Sequence, residues 1–401
     1  MMKIAVMTST YHGFFPRFYD YLSLTIRENG DRPILLLPNN RKNKNAINED
    51  KVLWGSRLNW FIHYHLYKYT GIQDVFSLIE TMCLIWKLRD IKPTIIHMHM
   101  MNAWFLNFPV FINYVNRHNI PVVWTMHDCR AFTGRCAYFD EIDCQKWQNG
   151  CNNCQQNKLY SPALFHRENL QWLIRKYYFN KFKNLTIVTP SKWLAGLVKQ
   201  SFLGNYPIKI INNGIDISLF SKQTKSGLKA EIGIGTKKMV LGIAANWEYR
   251  KGLDYFVYLS QHLSSSNYAV VLVGDIPNGD DHKYDRIYQL PRTKTTEELV
   301  RFYQAADVFV NPTLADNFPT TNIEALASGT PVVTFNTGGS GESIDPTCGL
   351  IVEKGNSKAL LEAVEVICNN TLINTDTCRK RAQKYSLVQY EQYISIYNQI
   401  K

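Results

Sequence analysis

The sequence predicts an α/β protein made of two doubly wound, Rossmann-like parallel sheets facing a cleft. Three observations carry that prediction. Nine short runs rich in Val, Ile and Leu recur along the 401 residues, helical patterns separate them, and a turn-rich break at residues 207–216 divides them into two sets. Runs that are apolar throughout, instead of alternating, belong to strands covered on both faces, and helical connections between them impose parallel order. With 45% hydrophobic residues the chain can fill two cores of ordinary size.

The elements follow in order. Lys3–Met7 is the first strand and leads into the loop Thr8-Ser9-Thr10-Tyr11-His12-Gly13-Phe14-Phe15; Pro33–Leu37 and Thr94–Met98 are the next two strands. Trp104–Val115 is apolar but is interrupted by Asn107, Pro109 and Asn113, so it reads as a buried helix and not as a membrane span. Pro121–Met126 and Leu185–Thr189 complete the first set, and a short strand from Pro207 ends in the turn chemistry of Asn212-Asn213-Gly214. The second set is Met239–Ala244, Ala269–Val273, Val308–Asn311 and Pro331–Phe335. Leu299–Val310 reads as an amphipathic helix running into its strand. Pro319 then opens a helix, where its missing N–H costs nothing, and Gly329 closes it. Domains are expected at residues 1–205 and 206–384, with 385–401 forming a last helix.

Charge is unevenly placed. Of the net +12, residues 1–190 hold +10, from 23 Lys+Arg against 13 Asp+Glu. A basic first half calls for an anionic partner: nucleic acid, a phospholipid surface, or an anionic lipid-linked substrate. The segment Asn39–Asn45 with its Arg41, Lys42 and Lys44, followed by Trp54, Trp60, Phe61, Tyr64, Tyr67 and Tyr69, suits a membrane interface; the plainer alternative is a solvated loop over a core helix. There is no uncharged apolar run of about 18 residues, and the first residues are too polar for a signal peptide, so a cytoplasmic protein, peripheral at the inner face of the plasma membrane, is expected.

In an open parallel sheet, ligands bind beyond the carboxyl ends of the strands, so the loops there should carry the chemistry. Asp316 and Glu324, with seven residues between them, bracket Pro319: Asp316 falls in a strand-end loop and Glu324 in the second turn of the next helix. A helix N-terminus offers free N–H groups to a diphosphate, and a carboxylate can accept from both hydroxyls of a ribose diol. A nucleotide-sugar site follows. After Met239–Ala244 come Asn246 and the adjacent cations Arg250 and Lys251 before Gly252, suited to a diphosphate and to charge on a departing nucleoside diphosphate. His127-Asp128 follows the strand Pro121–Met126. His97 and His99 share a strand face two residues apart, His97 for packing and His99 nearer the cleft. Gly13 permits close approach to a ligand. Asp280, Asp281 and Asp285 lie in a Gly/Asn-rich loop and read as a solvated turn, so no catalytic metal is implied.

The stretch from Asn311 to Val333 resembles the E-x7-E signature of the retaining glycosyltransferases of family 4, with Asp316 at the first Glu and Glu324 matching the second. The linker Asn213-Gly214-Ile215-Asp216 is similar to the one between the two domains of their GT-B architecture, in which the last helix, here about Tyr385–Ile400, crosses back to the first domain. The resemblance implies a sugar transferred from a UDP- or GDP-linked donor, held mainly by the second domain, to a glycan acceptor on the first. Lys251 matches the Lys that grips the donor diphosphate; Asn246 stands where the family has Arg, and Arg250 would supply the second charge. Asn317 and Phe318 join the donor set with Glu324. His127 would contact the sugar, Asp128 would orient its ring or bind acceptor, and Gly13 and His99 would lie on the acceptor side. Asp316 reaches one methylene less than the family's Glu. A lipid-diphosphate-linked acceptor, as in bacterial surface polysaccharide assembly, fits the basic first domain.

Cys136, Cys144, Cys151 and Cys154 lie within 19 residues, in an insert spanning 129–160. The C-x2-C pair lets two thiolates hold one tetrahedral ion, so structural zinc is the leading reading, with free thiols and disulfides as the others. A family-4 subgroup is similar here, with four cysteines after its His-Asp motif. Two other functions remain open: a sugar-nucleotide epimerase of like shape, and a zinc-knuckle protein binding nucleic acid. Asp140, Glu141 and Asp143 inside the knuckle argue against nucleic acid as partner.

Overall fold

The computed structural model describes the chain apart from residues 45–47, 102–103, 161, 223–226, 277–283 and 370–372. Two compact units emerge: Met1–Asn212 with Gln389–Lys401, and Asn213–Val388.

The first unit is built on β1 (Lys3–Met7), β2 (Arg32–Pro38), β3 (Lys51–Trp54), β4 (Ile95–Met98), β5 (Val122–Thr125), β6 (Leu185–Thr189) and β7 (Ile208–Ile210). All neighbours pair in parallel, in the order β3-β2-β1-β4-β5-β6-β7. The chain winds outward from β1 in one direction, then returns to its other side at β4. The point where the order reverses is a ready ligand position, because the loops leaving β1 and β4 diverge there.

The second unit repeats the plan with β8 (Lys238–Asn246), β9 (Tyr268–Asp275), β10 (Ile287–Leu290), β11 (Val308–Asn311), β12 (Val332–Phe335) and β13 (Gly349–Val352), in the order β10-β9-β8-β11-β12-β13. Its strands show why their runs are continuous. Met239, Leu241, Val271 and Phe309 belong to one core, whereas Val240, Val270, Leu272, Val308 and Val310 belong to another, so successive residues bury on opposite faces. The reversal lies between β8 and β11.

The nine expected strands form, with ends shifted by up to two residues, and the helix read over Trp104–Val115 is Phe108–Arg117, capped by the Asn107 side chain. β3, β10 and β13 add to them. Each has only four residues and sits at or near a sheet edge, too short for a periodic signal. β3 also opens the aromatic segment expected at a membrane interface. Trp54 ends that strand in the core and Tyr67 is likewise buried, leaving Phe61 and Tyr69 exposed. Asp280 and Asp281 lie outside the described residues.

The helix Val388–Ile400 packs on the first unit through tyrosines at positions three and four apart. Tyr390 meets Phe18 with ring centroids 5.3 Å apart, Tyr393 meets His97 at 5.1 Å, and the Tyr397 hydroxyl lies 2.6 Å from His97 Nδ1. His97 Nε2 lies 2.8 Å from Thr125 Oγ1. Both ring nitrogens are satisfied, and His97 is a structural residue.

Candidate functional site

In the second unit, the loops after β8, β11 and β12 converge at the reversal point. Beyond Asn246 the chain makes a tight turn at Tyr249–Lys251 and reaches Gly252 with φ of 78°. A Cβ there would lie 2.2 Å from the Pro312 carbonyl oxygen, so only glycine lets the two loops touch. Leu314 N–H donates to the Arg250 carbonyl at 2.8 Å, joining them again. From the other side, Gly338, with φ of 54°, leaves no room for a Cβ against the Asp316 carbonyl oxygen, 1.9 Å from where it would stand.

Asp316 lies at the centre of this junction. Its carboxylate accepts from Lys251 Nζ at 2.8 Å and from the Asn317 N–H at 2.9 Å, with Arg250 Nη1 at 3.8 Å. Burial alone would raise its pKa, but Lys251 and Arg250 outweigh burial and hold the carboxyl below its ordinary value. Expected as an independent contact to the donor sugar, Asp316 is thus the counter-ion of the Lys expected to grip the diphosphate. Arg250, expected as the second free cation, directs Nη1 at the Ala315 carbonyl, 2.7 Å away, and braces the loop. The cation that reaches Asn246 is Arg292, which donates to Asn246 Oδ1 and lies 2.8 Å from Asp275. Sequence reasoning missed Arg292 because it follows β10; a cation just past a strand end is the signal that could have found it.

The helix Thr320–Ser328 starts behind Pro319 and ends at Gly329 with φ of 90°. Glu324 is 7% exposed, and the Tyr303 hydroxyl donates to its Oε2 at 3.1 Å. This bond fixes the carboxylate from below. A buried amide network aims the helix itself: Asn311 Nδ2 donates to Asn322 Oδ1 at 2.8 Å, and Asn322 Nδ2 donates to the Ser340 carbonyl at 3.0 Å. Phe318, expected at the donor, has its ring in the core against Tyr385, with centroids 5.5 Å apart. Asn317 is also buried, and its backbone N–H caps Asp316.

In the first unit, β1, β4 and β5 deliver Gly13, His99 and His127-Asp128. Ser9 N–H donates to the Met100 carbonyl at 2.9 Å, tying the loop after β1 to the end of β4. His99 Nδ1 lies 3.1 Å from His127 Nε2, and Phe15 and Phe18 enclose the His99 ring at 5.0 and 4.9 Å. His99 is thus beneath His127, where it sets that ring's orientation. Its Nε2 is buried without a hydrogen-bond partner among the described residues. Both rings line a void of about 40 Å³, enough for a water to satisfy that nitrogen. Burial pushes the His127 imidazole down to about 4 against a smaller pull from Asp128, and holds His99 well below its ordinary value. Both are neutral at pH 7. The Asp128 carboxylate accepts from the Arg130 N–H at 2.9 Å and so shapes the turn after His127. Gly13 has φ of 67° and faces open space.

The insert after His127 has two short 3-10 turns and is anchored by buried guanidiniums. Arg175 pairs with Asp74 at 2.6 Å and donates to the Thr133 carbonyl at 2.9 Å, while Arg135 pairs with Glu168 at 2.5 Å. All nine cysteines are free thiols. Cys136 and Cys154 share a thiol hydrogen bond, and Cys151 Sγ accepts from the Gly134 N–H at 3.1 Å. Among the described residues no three of His, Cys, Asp or Glu are already arranged to hold an ion. The donor set of clustered thiols nevertheless suits zinc, and a backbone N–H to sulfur is the bond that supports a metal-bound thiolate.

Residues 17–219 match the family described as Glycosyltransferase Family 4, and residues 237–370 match that described as Glycosyl transferases group 1. The chain is similar to the putative colanic acid biosynthesis glycosyl transferase WcaC of Escherichia coli, at 22% identity over 332 residues covering 78% of each chain. It is also similar to the UDP-Gal:alpha-D-GlcNAc-diphosphoundecaprenol alpha-1,3-galactosyltransferase of Escherichia coli, at 23% identity over 46% of this chain and 51% of that one. Anabaena HepE in complex with UDP shares the fold, with a TM-score of 0.69 and 16% identity over 98% of both chains.

Proposed function

The chain belongs to glycosyltransferase family 4, and from that premise we propose that it moves a sugar from a nucleotide-sugar to a glycan acceptor in polysaccharide biosynthesis, with retention of anomeric configuration. The observation that carries this reading is the meeting of Lys251 and Asp316, at one strand-order reversal, in the loop that leads into the helix Thr320–Ser328 bearing Glu324. Glu324 accepts from the ribose hydroxyls. The helix N-terminus and Lys251 hold the diphosphate and stabilise the charge that builds as it leaves. Asp316 keeps Lys251 extended before the donor arrives, and Arg292 supplies the positive charge that Asn246 lacks. In the first unit, neutral His127, its ring set by His99, is the group assigned to sugar binding. With cations and helix N–H groups on the diphosphate, the reading assigns no catalytic role to a metal.

UDP is the leading nucleotide, because HepE binds it and the galactosyltransferase relative is named for it; GDP is the alternative. The acceptor is lipid-diphosphate-linked, as that relative's name describes for its own, and the protein works peripherally at the cytoplasmic face of the membrane. No helix among the described residues is long and apolar enough to cross a membrane. A nucleotide at 100 times its dissociation constant should stabilise the protein by about 2.7 kcal/mol in thermal unfolding. UDP is expected to do so and GDP not; the reverse changes only the donor, and no shift from any nucleotide or nucleotide-sugar sinks the reading.

The four thiols belong to the same proposal as a closed, structural zinc site. One equivalent of zinc in the purified protein is expected, and its absence with Cys136, Cys144, Cys151 and Cys154 all open to a thiol reagent would remove the metal.

A further inference from the structure

The first unit holds a second open volume that the roles assigned above do not use. A cavity of about 600 Å³ lies against the loop after β1 at His12, between Arg41, Arg57 and the rings of Trp60, Phe61 and Trp104. Its size is that of a ligand site, and its wall combines the rings of Trp60, Phe61, Trp104 and Phe105 with two guanidiniums. Trp60 stacks on Tyr64 at 5.6 Å, and Trp104 crosses Trp60 edge-on at 6.1 Å, so the rings form a braced wall. The buried Trp104 indole N–H has no acceptor among the described residues. Neither Arg41 nor Arg57 is ion-paired among them.

The cavity continues into an apolar surface. The helix Arg57–Thr70 exposes Leu58, Phe61, Ile62, Leu66 and Tyr69, and the helix Leu78–Ile91 exposes Leu78, Ile79, Met82 and Trp86, the last at 66%. Both sets recur at three- and four-residue intervals, which is how a helix presents an apolar stripe, yet these stripes face solvent. Arg57–Thr70 also contains no carboxylate. An exposed apolar stripe flanked by cations is stable in water only at a cost, and it fits an anionic bilayer.

We infer that this cavity takes the diphosphate and first isoprene units of a polyisoprenyl-diphosphate-linked acceptor presented from the membrane. Arg41 and Arg57 grip the diphosphate, for which a guanidinium fork has the right geometry. Trp60, Phe61 and Trp104 cover the proximal hydrocarbon, and the exposed stripes lie in the lipid. The inference rests on the proposed transfer to a lipid-linked acceptor and gives that acceptor a place.

The test titrates farnesyl diphosphate, read by tryptophan fluorescence, against the full chain and its R41A/R57A variant, and measures UDP stabilisation on the same samples. Binding by the wild type, weakened at least tenfold in R41A/R57A and at least tenfold for farnesol or pyrophosphate alone, is expected. Leu58→Ser with Ile62→Ser should lower binding to vesicles of phosphatidylcholine and phosphatidylglycerol while leaving farnesyl diphosphate affinity unchanged. Equal affinity for pyrophosphate and farnesyl diphosphate would show a plain anion site and overturn the inference. So would UDP stabilisation without any farnesyl diphosphate binding, whereas a wild type stabilised by no nucleotide or nucleotide-sugar would instead overturn the proposed function.

Discussion

Replacing Glu324 with Ala is expected to lower sugar transfer by about 10²- to 10⁴-fold while the protein remains folded. Two hydrogen bonds from ribose hydroxyls to an ionised carboxylate contribute about 1.5–3 kcal/mol each, and every 1.4 kcal/mol is tenfold. The same substitution removes the bond from the buried Tyr303 hydroxyl to the carboxylate, a loss of about 1–3 kcal/mol in stability. Two companions separate these effects. Tyr303→Phe removes the supporting bond but not the carboxylate, and should cost about 1 kcal/mol in stability and less than tenfold in transfer. Glu324→Gln keeps the shape and loses the charge. Transfer rates and thermal unfolding on all three decide the matter, and full activity in the alanine variant would sink the assignment.

Lys251→Ala has the second large expected effect, and it acts on two things at once. Transfer should fall about 10²- to 10³-fold, the scale of losing one group that stabilises transition-state charge. Stability should fall as well, by about 2 kcal/mol, because Asp316 loses its nearest counter-ion and keeps only Arg250 at 3.8 Å. The sign with pH is specific. In the wild type the Asp316 carboxyl is depressed, so its contribution is present above the ordinary carboxylate pKa and is lost as pH falls through the lower folded value. Without Lys251, burial becomes the larger influence and raises that pKa. The variant should then be most destabilised at neutral pH and partly recover towards pH 4. Adding Asp316→Asn should restore stability at neutral pH without restoring transfer; if the double variant also regains activity, Lys251 does not bind the donor.

The parts of the site legible in the sequence are those where one short stretch contains the whole arrangement. Asn311 to Gly329 encodes a strand end, a loop, a proline-opened helix and a glycine stop, so the place of Glu324 in the second turn followed from local chemistry alone. Contacts between loops did not follow. Lys251 and Asp316 are 65 residues apart, and nothing in either stretch announces that the cation and the carboxylate expected to serve the donor separately would neutralise each other. The packing of the Phe318 ring is hidden for a similar reason: its partner Tyr385 lies far along the chain. Arg292 was lost with β10, whose four residues at a sheet edge carry no periodicity. The covered faces of β8 and β9 were legible from continuous apolar runs, but Asn311 and Asn322 under the helix were not, since two buried amides are meaningful only once they face each other.

The bond between His97 and Tyr397 spans 300 residues. During synthesis, every strand of the first unit leaves the ribosome before the helix that covers His97 exists, and the whole second unit is made in the interval. Closing so long a loop is entropically slow, and an uncovered face of Phe18, His97 and Thr125 is what chaperones bind. The nascent protein therefore carries an unfinished first unit until Gln389–Lys401 arrives, and the second unit has time to fold first.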